Sequence, residues 1–127
     1  MVEKKKKKKR MLTSSIKAKG RDGQKEISKD LFTRYNLDPN DFKWCSMGAQ
    51  GADIIMSRAA KEKFPFSIEV KREEKLRLYK AISQAEANGE IDKLPSIVVF
   101  RKNKDKWRVV VDWDIFLKMN DAYIKEK

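Results

Sequence analysis

Residues 66–71, Phe-Ser-Ile-Glu-Val-Lys, constrain the fold of this chain more than any other stretch. Phe66, Ile68 and Val70 alternate with Ser67, Glu69 and Lys71. That period of two belongs to an extended strand. One face of such a strand is apolar and needs a core. The other presents a carboxylate and an ammonium side by side. A second apolar run, Ile97-Val98-Val99-Phe100 after Pro95, reads as a buried strand. Residues 107–111 read as its neighbour across a polar turn at 102–106, and residues 42–46 and 53–56 as two shorter strands.

Helical spacing appears in three places. Gln24, Ile27, Leu31 and Tyr35 define one face of a helix over 20–35, with Gly20 and Asp22 as start signals and Asn36 and Pro39 as the stop. Leu76, Tyr79, Ala81 or Ile82, and Ala85 mark a second helix over 73–88, stopped by Gly89. Asp112 or Asp114 opens a third that runs to about residue 125. Residues 38–41 form a turn, and 47–52, with Gly48 and Gly51, a loop. The order is helix, three strands, helix, two strands, helix. It implies a mixed α/β domain with helices on a central sheet. Trp44, Trp107 and Trp113 fall at apolar positions and are expected to pack in the core.

Charge is the next constraint. The 127 residues hold 31 Lys+Arg against 19 Asp+Glu, a net +12, which favours polyanionic partners through counterion release. Residues 1–21 carry ten basic groups and one acid, leaving only +3 for the rest. Six consecutive lysines, Lys4 to Lys9, repel one another and bury nothing. Residues 1–15 therefore read as a disordered basic arm, and 16–127 as one folded domain. The arm suits a phosphate clamp or a localisation signal, and equally a solvating tail.

The single Cys45 rules out an intramolecular disulfide and a cysteine-based zinc site, which fits a reducing, cytoplasmic setting. With no histidine, the chain lacks histidine general bases, Ser-His-Asp triads and histidine-metal sites. No apolar window reaches the length of a membrane span, so a membrane is not an expected partner.

Chemistry concentrates at Asp53 and at Glu69-Val70-Lys71. If Asp53 opens the strand beside 66–71, its carboxylate meets Glu69 across the pair. Two adjacent carboxylates disfavour each other's ionisation, a conflict that a divalent cation resolves. Mg²⁺ held there can lower the pKa of water and stabilise charge on a phosphodiester. Lys71 beside it can orient the water or stabilise the developing charge.

The chain also resembles the PD-(D/E)xK nuclease superfamily, and within it the Holliday-junction-resolvase-like proteins of phages. The resemblance covers residues 17–118. It rests on Lys19-Gly20-Arg21 with Gln24, on Ser46-Met47-Gly48-Ala49, and on Gly51-Ala52-Asp53-Ile54. It continues with Phe64-Pro65-Phe66-Ser67-Ile68-Glu69-Val70-Lys71 and Ala81-Ile82-Ser83-Gln84-Ala85-Glu86-Ala87-Asn88, then residues 95–101 and 112–117. It implies a restriction-endonuclease-like mixed central sheet of about five strands flanked by helices.

The resemblance further implies Asp53, Glu69 and the Val70 carbonyl as ligands of Mg²⁺ or Mn²⁺, and Lys71 as the catalytic lysine. Gln24 stands where archaeal resolvases of this fold carry a glutamate, and can still offer a carbonyl oxygen. Glu26, nearby, points away from the Gln24 face and ranks lower. Ser46 is implied as a contact to the scissile phosphate, and Gln84 as a residue on the active side of the second helix. Lys19, Arg21, Arg72 and Arg101 are the candidate DNA-binding cations.

The expected function is a metal-dependent endonuclease acting on branched or double-stranded DNA in a bacterial or phage-infected cytoplasm. Symmetric two-strand cutting would make it a homodimer. The competing readings are a non-catalytic nucleic-acid-binding module on a degenerate nuclease fold, and a basic ribosome-associated protein.

Overall fold

A computed structural model describes the backbone of residues 2–45 and 51–127 and the side chains of 15–45 and 51–127. Its elements are α1 (Val2–Arg34), β1 (Phe42–Trp44), β2 (Ile54–Met56), α2 (Arg58–Lys63), β3 (Ser67–Arg72), α3 (Leu78–Asp92), β4 (Ser96–Arg101), β5 (Arg108–Val110) and α4 (Trp113–Glu126). The class is mixed α/β, as the pattern implies.

Helix α1 begins far ahead of Gly20, so the backbone of the segment expected as a disordered arm is helical. Lysine, arginine, methionine and leucine are good helix formers, and neither proline nor glycine interrupts residues 2–19. The expected face is the packed one: Gln24, Ile27 and Ser28 are buried, and Leu31 and Tyr35 lie against the core. The helix ends where Asn36 turns left-handed (φ 54°) and the Leu37 N–H reaches back to the Phe32 carbonyl at 2.9 Å. One 3-10 turn, Pro39–Asp41, then aims the chain into β1, its start fixed by Asp38 and Asp41 capping each other's backbone.

All five expected strands form, but not one five-stranded sheet. β1 and β2 make an antiparallel pair, while β3, β4 and β5 make a separate sheet, parallel across β3–β4 and antiparallel across β4–β5. Among the described residues the hydrogen-bonded link between the two sheets is at Asp53. The Asp53 N–H donates to the Ile68 carbonyl at 3.0 Å, and the Asp53 carboxylate accepts from the Val70 N–H at 2.7 Å. A side chain thus takes the donor that a strand carbonyl would need to continue the ladder, and the sheet stops there.

Helix α3 is the crossover between parallel β3 and β4. It starts later and ends later than the spacing implied, and Gly89 lies within it. The glycine is there for proximity: a Cβ would stand 2.9 Å from the Leu94 carbonyl oxygen and 3.1 Å from the Ser96 Cβ. Lys93, not Gly89, adopts the left-handed terminal conformation. Helix α2 was not expected, since six residues are too few to show a period. Ser57 caps it by accepting from the Ala60 N–H, and the same hydroxyl donates to Asp41.

Strands β3 and β4 are covered on both faces. Ile68, Val70, Ile97 and Val99 join Ile27, Phe42, Ile54 and Met56 in the main core under α1. On the other face Val98 packs with Ala81 and Ala85 of α3. Trp44 and Trp107 lie against the main core as expected, but Trp113 is exposed, because α4 has no buried residue. Among the described residues no helix is long and apolar enough to cross a membrane.

Candidate metal centre

Strand β3 positions the site. Its alternation sends Ile68 and Val70 under α1 and leaves Glu69 and Lys71 on the α3 side. That second face is not open: Glu69 is only 3% exposed. Glu69 Oε2 accepts from Asn88 Nδ2 on α3 at 3.1 Å, and Oε1 lies 3.6 Å from Lys71 Nζ.

Asp53 arrives from the neighbouring pair, on the residue just before β2, and is fixed by its two backbone bonds to β3. In a strand the N–H and C=O of one residue leave on the same side, so the Val70 carbonyl points off the edge that Asp53 occupies. Gln24 comes from α1, where Gly23 lets the helix approach. A Cβ on Gly23 would sit 3.3 Å from both the Arg72 Cβ and the Trp107 ring.

The electrostatics follow from this crowding. Burial pushes the Asp53 carboxyl up, against the pull of the Val70 N–H, Lys71, Glu69 and a hydrogen bond from Gln24. Burial, and next the Asp53 charge, push Glu69 up to about 7, against Lys71 and Asn88. Each carboxyl is thus among the groups that perturb the other.

Gln24 is 4% exposed, and its Oε1 has no hydrogen-bond partner. Gln24, Asp53 and Glu69 thus bring a buried amide and two carboxyls whose ionisation is suppressed to one side of β3, with the Lys71 ammonium beside them. No protein-family model, curated protein or solved structure matches the chain.

From Lys71 the surface opens into a cleft of about 430 Å³. Lys75, Arg77, Lys80 and Gln84 line it, with Glu73 as the one acid. Gln84 on α3 thus shares a cleft with Lys71. Lys75, Arg77, Lys80 and the Glu69 partner Asn88 had no assigned role in the sequence reading. Their signal was weak but present: the run Lys75-Leu76-Arg77-Leu78-Tyr79-Lys80 is basic, and Asn88 lies seven residues after the packed Ala81, two turns along α3.

The other candidate cations lie elsewhere. Lys19 is half-buried and Arg21 exposed on α1, and neither lines the cleft. Arg72 is half-buried on the α1 face, its Nε without a partner. Arg101 is engaged within the fold: one guanidinium nitrogen lies 3.1 Å from each Glu26 carboxylate oxygen, and the group stacks over Trp107 at 5.0 Å. That pairing also takes Glu26 out of the site. Ser46 lies outside the described residues. Among the described residues no cluster of three or more Asp, Glu, Cys or His forms, so the site holds two carboxylates and a neutral amide.

Proposed function

We propose that this chain is a metal-dependent endonuclease that hydrolyses DNA phosphodiester bonds, selective for branched DNA such as four-way junctions, on a PD-(D/E)xK-type domain. The observation that carries the reading is the buried Gln24 side chain, which hydrogen-bonds Asp53 while its Oε1 has no partner. With Asp53, Glu69 and the Val70 carbonyl, that oxygen would hold Mg²⁺ or Mn²⁺. When bound, the ion would offset the carboxylate charge and lower the pKa of water at the site.

The protein's own groups supply the rest. Lys71, between Glu69 and the cleft, brings a positive charge to a phosphate held there. Lys75, Arg77 and Lys80 hold the flanking phosphates. These contacts read backbone shape and no base sequence, which suits a structure-selective enzyme. Asn88 fixes the Glu69 carboxylate so that its other oxygen stays beside Lys71.

A second reading has one observation in its favour. With two carboxylates and an amide, the donor set is weaker than three carboxylates, as in a module that binds DNA without cutting it.

The deciding experiment is cleavage of labelled four-way junction, fork and linear duplex, with Mg²⁺, Mn²⁺ or EDTA, by wild type, Glu69→Ala and Lys71→Ala. Metal-dependent cutting of the junction, reduced about a hundredfold or more in both variants, is expected. Equal cutting of all three substrates removes the junction preference and keeps the nuclease. Lys71→Ala cutting like wild type sinks the site assignment. Binding without cutting establishes the second reading.

A further inference from the structure

Strand β3 ends in two cations that leave on opposite faces of the sheet. Lys71 turns to the cleft, while Arg72, like Val70 before it, turns to the α1 side. There Arg72 stands directly beside Arg101, its register partner on parallel β4. Two guanidinium groups on neighbouring strands repel unless each is neutralised.

Among the described residues only one of them is. Arg101 has both Glu26 carboxylate oxygens at 3.1 Å and lies over the Trp107 ring. Arg72 forms no ion pair, and its Nε is buried without an acceptor. Glu26 is committed to Arg101. Asp22 and Glu73 are exposed, and neither pairs with Arg72.

The Arg72 side chain is also held in place. Buried Gly23 of α1 packs over its root, where an added Cβ would stand 3.3 Å from the Arg72 Cβ and 3.3 Å from the Trp107 ring. Arg72 as a whole is half-buried, which leaves an approach from the carboxyl ends of β3 and β4. Crevices at such strand ends are where ligands of parallel sheets bind. A guanidinium cannot shed its charge, and its planar fork matches the paired oxygens of a phosphate. The net charge of +12 favours a phosphate over a lone carboxylate as the missing anion.

We infer that Arg72, beside Arg101, anchors a phosphate-binding site at the carboxyl ends of β3 and β4, on the face of the sheet opposite the cleft. The inference does not rest on the nuclease reading. A free phosphate and a DNA backbone offer the same chemistry, and the test separates the two sources.

The test is ¹H–¹⁵N NMR of the full chain in EDTA at pH 7, following the Arg72 Nε–H. Burial slows its exchange with water, and Arg72→Lys identifies the signal by its loss. Inorganic phosphate is expected to shift it, with saturation on the order of 1–10 mM. Chloride and acetate at matched ionic strength are expected to leave it in place. The cleft variant Arg77→Gln/Lys80→Gln is expected to respond as wild type does, since those side chains lie on the other face.

A short DNA duplex without terminal phosphates then names the source. A shift with the duplex assigns the site to backbone phosphates, and a shift with inorganic phosphate alone assigns it to a free or terminal phosphate. No shift with either, an equal shift with chloride or acetate, or a shift lost in the cleft variant overturns the inference. None of these arms reads cleavage, so this site and the nuclease reading can fail separately.

Discussion

A single carboxylate shows how tightly charge and fold are linked in this chain. Glu69 is buried, and its pKa lies near 7, where an ordinary glutamate has 4.5. An acid whose folded pKa is raised is favoured by protonation. Its contribution to stability is fully present below about 4.5 and is lost as pH rises through about 7. Asp53 is shifted in the same direction. The lowered pKa of exposed Asp105 acts only below this window.

In EDTA, therefore, the melting temperature should fall between pH 5 and pH 8, by an amount equivalent to on the order of 3 kcal/mol. Glu69→Gln, which keeps an acceptor for Asn88, should flatten that slope. Mg²⁺ or Mn²⁺ should raise the melting temperature at pH 8 and leave it unchanged at pH 5, since a cation binds only the ionised pair. A slope that survives in Glu69→Gln would place its origin elsewhere. The sequence made Asp53, Glu69 and Lys71 legible because strand alternation puts Glu69 and Lys71 on one face. The orphaned oxygen of Gln24 was not legible, because satisfaction of a hydrogen bond depends on every neighbour, and those come from distant elements.

Periodicity located the elements but misread some of their ends. Apolar spacing marks a packed face, and that face need not extend as far as the helix does. Residues 73–77 precede α3 without joining it, whereas the basic segment before Gly20 is helical without an apolar face. Gly89 is the instructive case. A glycine near a helix end reads as a stop, yet here it clears space for Leu94 and Ser96. The two roles predict opposite responses. At an ordinary exposed helix position Gly→Ala stabilises by about 1 kcal/mol. Gly89→Ala should instead destabilise by roughly 1–3 kcal/mol, because the methyl meets a backbone carbonyl that cannot step aside. Chemical denaturation of the two proteins measures the sign.

Over the whole molecule, the class was legible and the sheet arrangement was not. Five strands were visible as runs, but pairing is decided by hydrogen bonds, and one side-chain acceptor at Asp53 ends the ladder at β3. The exposure of Trp113 was likewise invisible, since an amphipathic helix has the same sequence pattern whether its partner lies in the same chain or another. The charge distribution makes its own prediction. The residues from Lys4 to Arg10 are all basic, whereas the 22–127 segment is only slightly so. Deleting residues 1–15 should weaken binding to duplex DNA and flatten the dependence of log K on log salt by several units. An unchanged slope would assign the phosphate contacts to the cleft alone.

Asp53 is more than a ligand candidate: it is the seam between the two sheets. Its backbone and its carboxylate both grip β3, so the distance between the sheets and the spacing of the site are one variable. Anyone grafting this centre onto another scaffold would have to transplant a joint, with the strand edge that receives it, and not three side chains. By the same logic, any opening between the two sheets would pull the centre apart as well, so on the proposed nuclease reading cleavage should not outlast the packing of β2 on β3.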